Sequence, residues 1–163
     1  MKIRSGFVSN SSSSSFIVIT SITSGDYIHK LRKKFEGQSL VIDKDFGETE
    51  FGWQFEKYSD FGSKIIFAYL QAAYMTIYRK DTDSGQQWLN MLEKVIKDKL
   101  KISEIVWNIS AEYDSPEGKD HAYIDHQSAS YEGKNTDMFD DENSLTNFLF
   151  NPQSYIETGN DNV

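Results

Sequence analysis

The sequence predicts one α+β or α/β domain, a small mixed or mostly antiparallel sheet packed against three to four helices. Three observations carry that reading. The chain has 163 residues, the size of a single domain, and at that size no disulfide or metal staple is needed to bury a core. Short β-branched apolar runs recur at 16–20, 39–43, 104–113 and 155–158, each of strand length. Between them, residues 63–101 carry apolar side chains at helical spacing in two successive stretches.

The elements follow in chain order. Phe16 to Thr20 reads as a buried strand. Ser24 and Asp26 open a helix that places Ile28, Leu31 and Phe35 on one face, and Gly37 ends it. Ser39 to Asp43 is a second strand, so that strand, helix and strand form either a parallel βαβ unit or an antiparallel return. Residues 44–62 are irregular, with Phe51, Trp53 and Phe55 alternating as an edge strand that either covers the core or offers an aromatic ligand platform.

Ser63 caps the next helix, whose stripe is Ile65, Ile66, Tyr69, Leu70, Ala73 and Ile77; Ala72 and Ala73 permit close approach of a neighbour. Asp81 to Gly85 is turn chemistry, and Ser84 with Gln87 forms a capping box for a helix that buries Trp88, Leu92, Val95 and Ile96. The other face of that helix carries Lys94, Lys97, Lys99 and Lys101, either a solvated face or a phosphate-steering patch. Ile105, Trp107, Ile109, Ala111 and Tyr113 share one face of the clearest strand, and a turn over Asp114–Lys119 returns the chain as an antiparallel hairpin through His121 to Asp125. Residues 129–143 read as an acidic loop. Asp140 or Asp141 then caps a short helix with Leu145, Phe148 and Leu149 inward, Pro152 ends it, and Tyr155–Thr158 is a terminal strand before a polar turn, Gly159–Asn162.

Composition removes several function classes. There is no cysteine, which excludes disulfides and thiolate metal sites. A formal net charge of −8 disfavours wholesale nucleic-acid binding, which needs phosphates neutralised by Lys and Arg. No apolar run approaches the roughly 18 residues of a membrane-spanning helix, and Lys2 and Arg4 lead into serines rather than into the apolar core of a secretion signal. A cytoplasmic setting is the expectation. His29, His121 and His126 are the only histidines, and without a His-Glu-x-x-His helix or a cysteine pair they predict no zinc site; no metal ligand is assigned, and a carboxylate-bound magnesium stays open.

One stretch stands apart. Residues 9–15 form a polyserine segment, Ser9-Asn10 followed by Ser11 to Ser15, set between Gly6-Phe7-Val8 and Phe16-Ile17-Val18-Ile19. Ordering each residue costs roughly 1–2 kcal/mol of backbone entropy, and serine buries little apolar area in return. The run is therefore either a mobile or modified arm or a segment held by hydrogen bonds from elsewhere. The opening Lys2-Ile3-Arg4-Ser5-Gly6-Phe7-Val8-Ser9-Asn10, with the serines and Phe16, resembles a family of small uncharacterised proteins of tailed bacteriophages and prophages. Tyr123 to Ser128, and Phe148 to Asn151 on through Tyr155-Ile156 to Asn162, resemble further pieces of that family. The resemblance implies a phage origin and a host-cell cytoplasm, and it implies no activity.

Polar groups concentrate in three clusters: the serine run, Asp125-His126-Gln127-Ser128 at a strand end, and the C-terminal turn. The favoured expectation is a phage-encoded accessory protein that binds a small or phosphorylated ligand, or a host protein, where these clusters converge. Asn10, Ser11, Ser12, Ser13, Asn160 and Asp161 are the candidate binding residues. One alternative is a small hydrolase or transferase in which His126 is acid or base beside Asp125 and Ser128, or beside a serine of the run with Asp161 or Asp125 orienting the imidazole. Another is an acidic inhibitor or DNA mimic that docks a basic host enzyme through Asp137, Asp140, Asp141 and Glu142. Enzyme status, cofactor and oligomeric state stay open.

Overall fold

The computed structural model describes residues 2–5, 13–21, 25–52, 54–125 and 135–160. The chain is a small mixed α+β fold; among the described residues there are four α-helices, three of them packed on a common core and one lying along its side. The predicted class holds.

The spine is α2, Phe61–Ile77. It is apolar nearly all round, as a helix wrapped by other elements must be: Phe61, Ile65, Ile66, Phe67, Ala68, Leu70, Ala72 and Tyr74 are buried. It runs against α3, Thr82–Leu100, which buries Leu92, Val95, Ile96 and Leu100. Gly85 sets how close the two helices come. A Cβ there would meet the Thr76 hydroxyl and stand 2.9 Å from the Ala72 carbonyl oxygen. Helix α4, Glu142–Leu149, inserts Leu145, Phe148 and Leu149 into the same core. Helix α1, Gly25–Phe35, has no fully buried residue and lays Ile28, Leu31 and Phe35 along the core's side, as their spacing predicts.

One four-residue pattern opens the three core helices. Asp60, Asp81 and Asp141 are the N-caps, and their carboxylates accept the backbone N–H of Ser63, Ser84 and Ser144 at 2.8, 3.0 and 2.6 Å. Ser63 and Ser84 are thus the capped N3 residues of an Asp-x-x-Ser quartet and not the caps. The Ser63 hydroxyl works outward instead, accepting the Glu48 N–H at 2.9 Å.

A four-stranded antiparallel sheet unites both ends of the described chain. Strands β1 (Lys2–Ser5), β2 (Ser13–Thr20), β10 (Tyr155–Asn160) and β5 (Glu56–Tyr58) lie in the order β1-β2-β10-β5. The register sets Tyr155 opposite Val18 and Asn160 opposite Ser13. The second half of the serine run is therefore strand, and the expected C-terminal turn is strand through Asn160. Residues 9–12 of the run lie outside the described residues.

The remaining strands pair in parallel. They are β3 (Ser39–Ile42) with β6 (Glu104–Trp107), β7 (Ile109–Ser110) with β8 (Asp120–His121), and β4 (Glu50–Phe51) with β9 (Tyr123–Ile124). Backbone hydrogen bonds from Asn108 to Ile42, Asp120 to Asn108, Ala122 to Ser110 and Tyr123 to Thr49 run these pairs on from one another. Two expectations fall here. Strands β2 and β3 lie in different sheets, so α1 makes no βαβ unit. Residues 104–125 are no antiparallel hairpin either: segment 111–119 carries the chain back to the start of the ladder, and β8 enters it parallel to β7. The strand stops at Ser110, which leaves Tyr113 90% exposed.

The irregular stretch 44–62 splits. Phe51 is buried against Phe67 and Tyr58 in edge-to-face contacts, Phe55 is 79% exposed, and Trp53 lies outside the described residues. Gly62 admits the Phe46 carbonyl where a side chain would stand, which lets Phe46 join Phe35 and Phe61 in one aromatic cluster. The acidic segment also packs. Asn135, Met138 and Phe139 are buried, with Phe139 stacked on Trp88 at 4.8 Å.

Candidate functional site

The candidate residues named from the sequence divide by position. Asn10, Ser11, Ser12, His126, Ser128 and Asp161 lie outside the described residues. Ser13 and Asn160 face each other across the β2–β10 ladder, so the serine run and the C-terminal cluster enter from one sheet. Asp125 follows β9, which pairs with β4 and not with β2 or β10. It is 4% exposed, and its backbone N–H donates to the Phe51 carbonyl at 2.7 Å. The structure thus brings two of the three clusters together and describes the third only as far as Asp125.

Two of the α3 lysines, Lys94 and Lys97, are engaged. Lys94 Nζ lies 2.8 Å from the Glu142 carboxylate and 3.6 Å from Asp98, and Lys97 lies 3.6 Å from Glu93. The same contacts draw on the acidic stretch that an inhibitor would present: Glu142 pairs with Lys94, and Asp141 caps α4, which holds its carboxyl below the usual carboxylate range. Among the described residues no group of three or more His, Asp or Glu is arranged to hold a metal ion, and no described helix is long and apolar enough to cross a membrane.

Two concavities stand out among the described residues. A basin of about 370 Å³ is bounded by Glu48, Glu50, Gln54, Glu56, Tyr58 and Tyr123. Glu48 Oε1 turns back onto its own loop, accepting the Thr49 and Glu50 N–H groups at 2.8 and 2.9 Å. Burial pushes the Tyr58 phenol up, and hydrogen bonding to Glu56 and the charges of Glu48 and Glu56 push it further.

The second is a cleft of about 300 Å³ between α2, α3 and segment 111–119. A parallel crossover is usually a helix, which fills the space over the layer it spans. Here it is irregular chain, and the groove between α2 and α3 stays partly open. The floor is small and buried: Ala72, Gly85, Ser110 and Ala111. Half-buried Ala73, Ile77 and Leu89 supply apolar walls, while Thr76, Gln86, Glu112 and Lys119 form an exposed polar rim of both charge signs.

Tyr69 is the half-buried phenol at this cleft. Its ring stacks on Trp107, whose indole N–H donates to Glu93 at 2.8 Å, and its hydroxyl donates to the Ile109 carbonyl at 3.4 Å. Burial raises the phenol above its usual range, and the charge of Glu112 raises it further, so Tyr69 stays a neutral donor. Small floor, apolar walls and a few convergent polar groups make up the ordinary composition of a small-molecule site. The sequence signals its parts, in the Ala72-Ala73 pair and the 114–119 turn, but their meeting depends on the parallel ladder. Comparison with protein-family models, with curated proteins and with solved structures finds no match to this chain.

Proposed function

We propose that the protein is a small-molecule-binding accessory protein and that its ligand occupies the cleft between α2, α3 and segment 111–119. The observation that carries this is the pairing of a buried small-residue floor with a polar rim around a volume of about 300 Å³. That volume stands at the small end of ligand pockets, so the ligand is a compact molecule. Its apolar face lies on Ala73, Ile77 and Leu89, and its polar head meets the Tyr69 hydroxyl, Glu112 and Lys119. Glu112 and Lys119 offer opposite charges at one mouth, which favours a head group with both donors and acceptors over a bare phosphate. The N-terminal motif supports a tailed-phage or prophage source, which would place the ligand in the infected host.

The test is thermal denaturation against a library of amino acids, nucleosides and small carboxylic acids. A ligand at 100 times its Kd stabilises the fold by about 2.7 kcal/mol. The expected result is a binder that raises the midpoint of the natural sequence and leaves that of Ala73→Phe, which fills the cleft, unmoved. A binder that stabilises both equally overturns the assignment.

A further inference from the structure

Lys64 lies in the first turns of α2 with 0% of its surface exposed. Its Nζ donates to the carbonyls of Asn151 at 2.9 Å and Ser154 at 3.3 Å. Among the described residues no carboxylate stands within ion-pair distance of it. A neutral amine has two N–H donors, an ammonium three, so two carbonyls satisfy the neutral form and leave the charged form one acceptor short.

The acceptors belong to the turn 151–154, which is tied from every side. Asn151 Nδ2 donates to the Thr20 carbonyl at 2.9 Å, the Thr20 N–H to Ser154 Oγ at 2.8 Å, and Ser154 Oγ to the Asn147 carbonyl at 2.7 Å. Thr20 Oγ1 also donates to the Gln153 carbonyl at 3.3 Å. This turn joins α4 to β10, the inner strand that holds β2 and β5 together. Thr20 from β2, Asn147 from α4 and Asn151, Gln153 and Ser154 from the turn do not titrate. Asp60, the N-cap of α2, is the titratable group whose charge acts on Lys64.

We propose that Lys64 is a protonation-operated latch on the turn that feeds β10, holding the turn while its amine is neutral and loosening it when a proton is taken up. Burial lowers the Lys64 pKa from 10.5 to about 7, against the opposing pull of Asp60. Between those values the opened form binds more protons than the docked form. The latch therefore tightens as pH rises through that window, and below about 7 it is at its loosest and insensitive to pH.

The experiment is amide hydrogen exchange of Thr20 and Ser154 from pH 6 to 9.5, corrected for intrinsic rates. The opening constant should fall about tenfold per pH unit between about 7.5 and 9.5 and level off near pH 6. Lys64→Met should remove the slope. A flat profile for the natural sequence, or the same slope in Lys64→Met, overturns the latch. Should Lys64→Met fail to fold, the ¹³Cε resonance of Lys64 in the natural sequence decides: a midpoint within about one unit of 7 supports the latch, and a higher midpoint overturns it.

Discussion

The Tyr69 ring lies stacked on the Trp107 indole, with centroids 4.6 Å apart and planes 23° from parallel. One residue lines the cleft and the other anchors the β6 strand, so this contact couples the candidate site to the sheet. Tyr69→Phe keeps the stack and removes the phenol. A neutral hydrogen bond is worth about 1 kcal/mol, so ligand affinity should fall about fivefold with the fold intact. Titration of the variant beside the natural sequence checks this, and unchanged affinity would place the ligand's polar head elsewhere.

Gly85 is needed for the approach of α3 to α2. In Gly85→Ala the added methyl faces the Thr76 hydroxyl, which can rotate, and the Ala72 carbonyl at 2.9 Å, which cannot. Overpacking of this kind costs about 1–3 kcal/mol. Urea denaturation should show that loss, and adding Thr76→Ala should recover only part of it.

Phe139 tests whether the acidic segment is core or loop. It is buried and stacked on Trp88 with planes 3° from parallel. Truncation of a buried phenylalanine costs about 3–5 kcal/mol, and Phe139→Ala should lose that much in equilibrium unfolding. A loss under about 1 kcal/mol would return the segment to the surface.

The α4 cap carries a pH signature. The Ser144 N–H holds the Asp141 carboxyl below its usual value of 3.8. A depressed folded value means that the cap's contribution is present above the unfolded value and lost as pH falls through the folded one. Asp141→Ala should therefore lower the thermal midpoint at pH 7, and the gap to the natural sequence should close progressively below pH 3.8. A gap that persists unchanged at pH 2 would mean that the carboxylate's charge plays no part.

Helices were the legible part of this sequence, because an apolar stripe is a local signal. The stripe of α3 at Leu92, Val95 and Ile96 is buried as its spacing requires. The starts expected from sequence, with Ser63 and Ser84 as caps, fall three residues late for α2 and α3, whose caps are Asp60 and Asp81; for α4 the sequence leaves Asp140 and Asp141 as alternatives, and the cap is Asp141. Strand direction was not legible. Turn residues at Asp114–Lys119 suit a reversal and a crossover equally, and only the long-range ladder from Ile109 to Asp120 decides between them. The cleft was hidden for the same reason. Lys64 had a visible signal, a lone cation inside the apolar run Phe61–Leu70, but its partners at Asn151 and Ser154 stand 87 and 90 residues away.

Backbone amide shifts of the ¹⁵N-labelled protein, titrated with the hits of the thermal screen, test the central claim most directly. The account predicts perturbations concentrated at Tyr69, Ala73, Thr76, Ser110, Ala111 and Lys119, saturating with one Kd. Shifts confined to residues remote from the α2–α3 groove would contradict it.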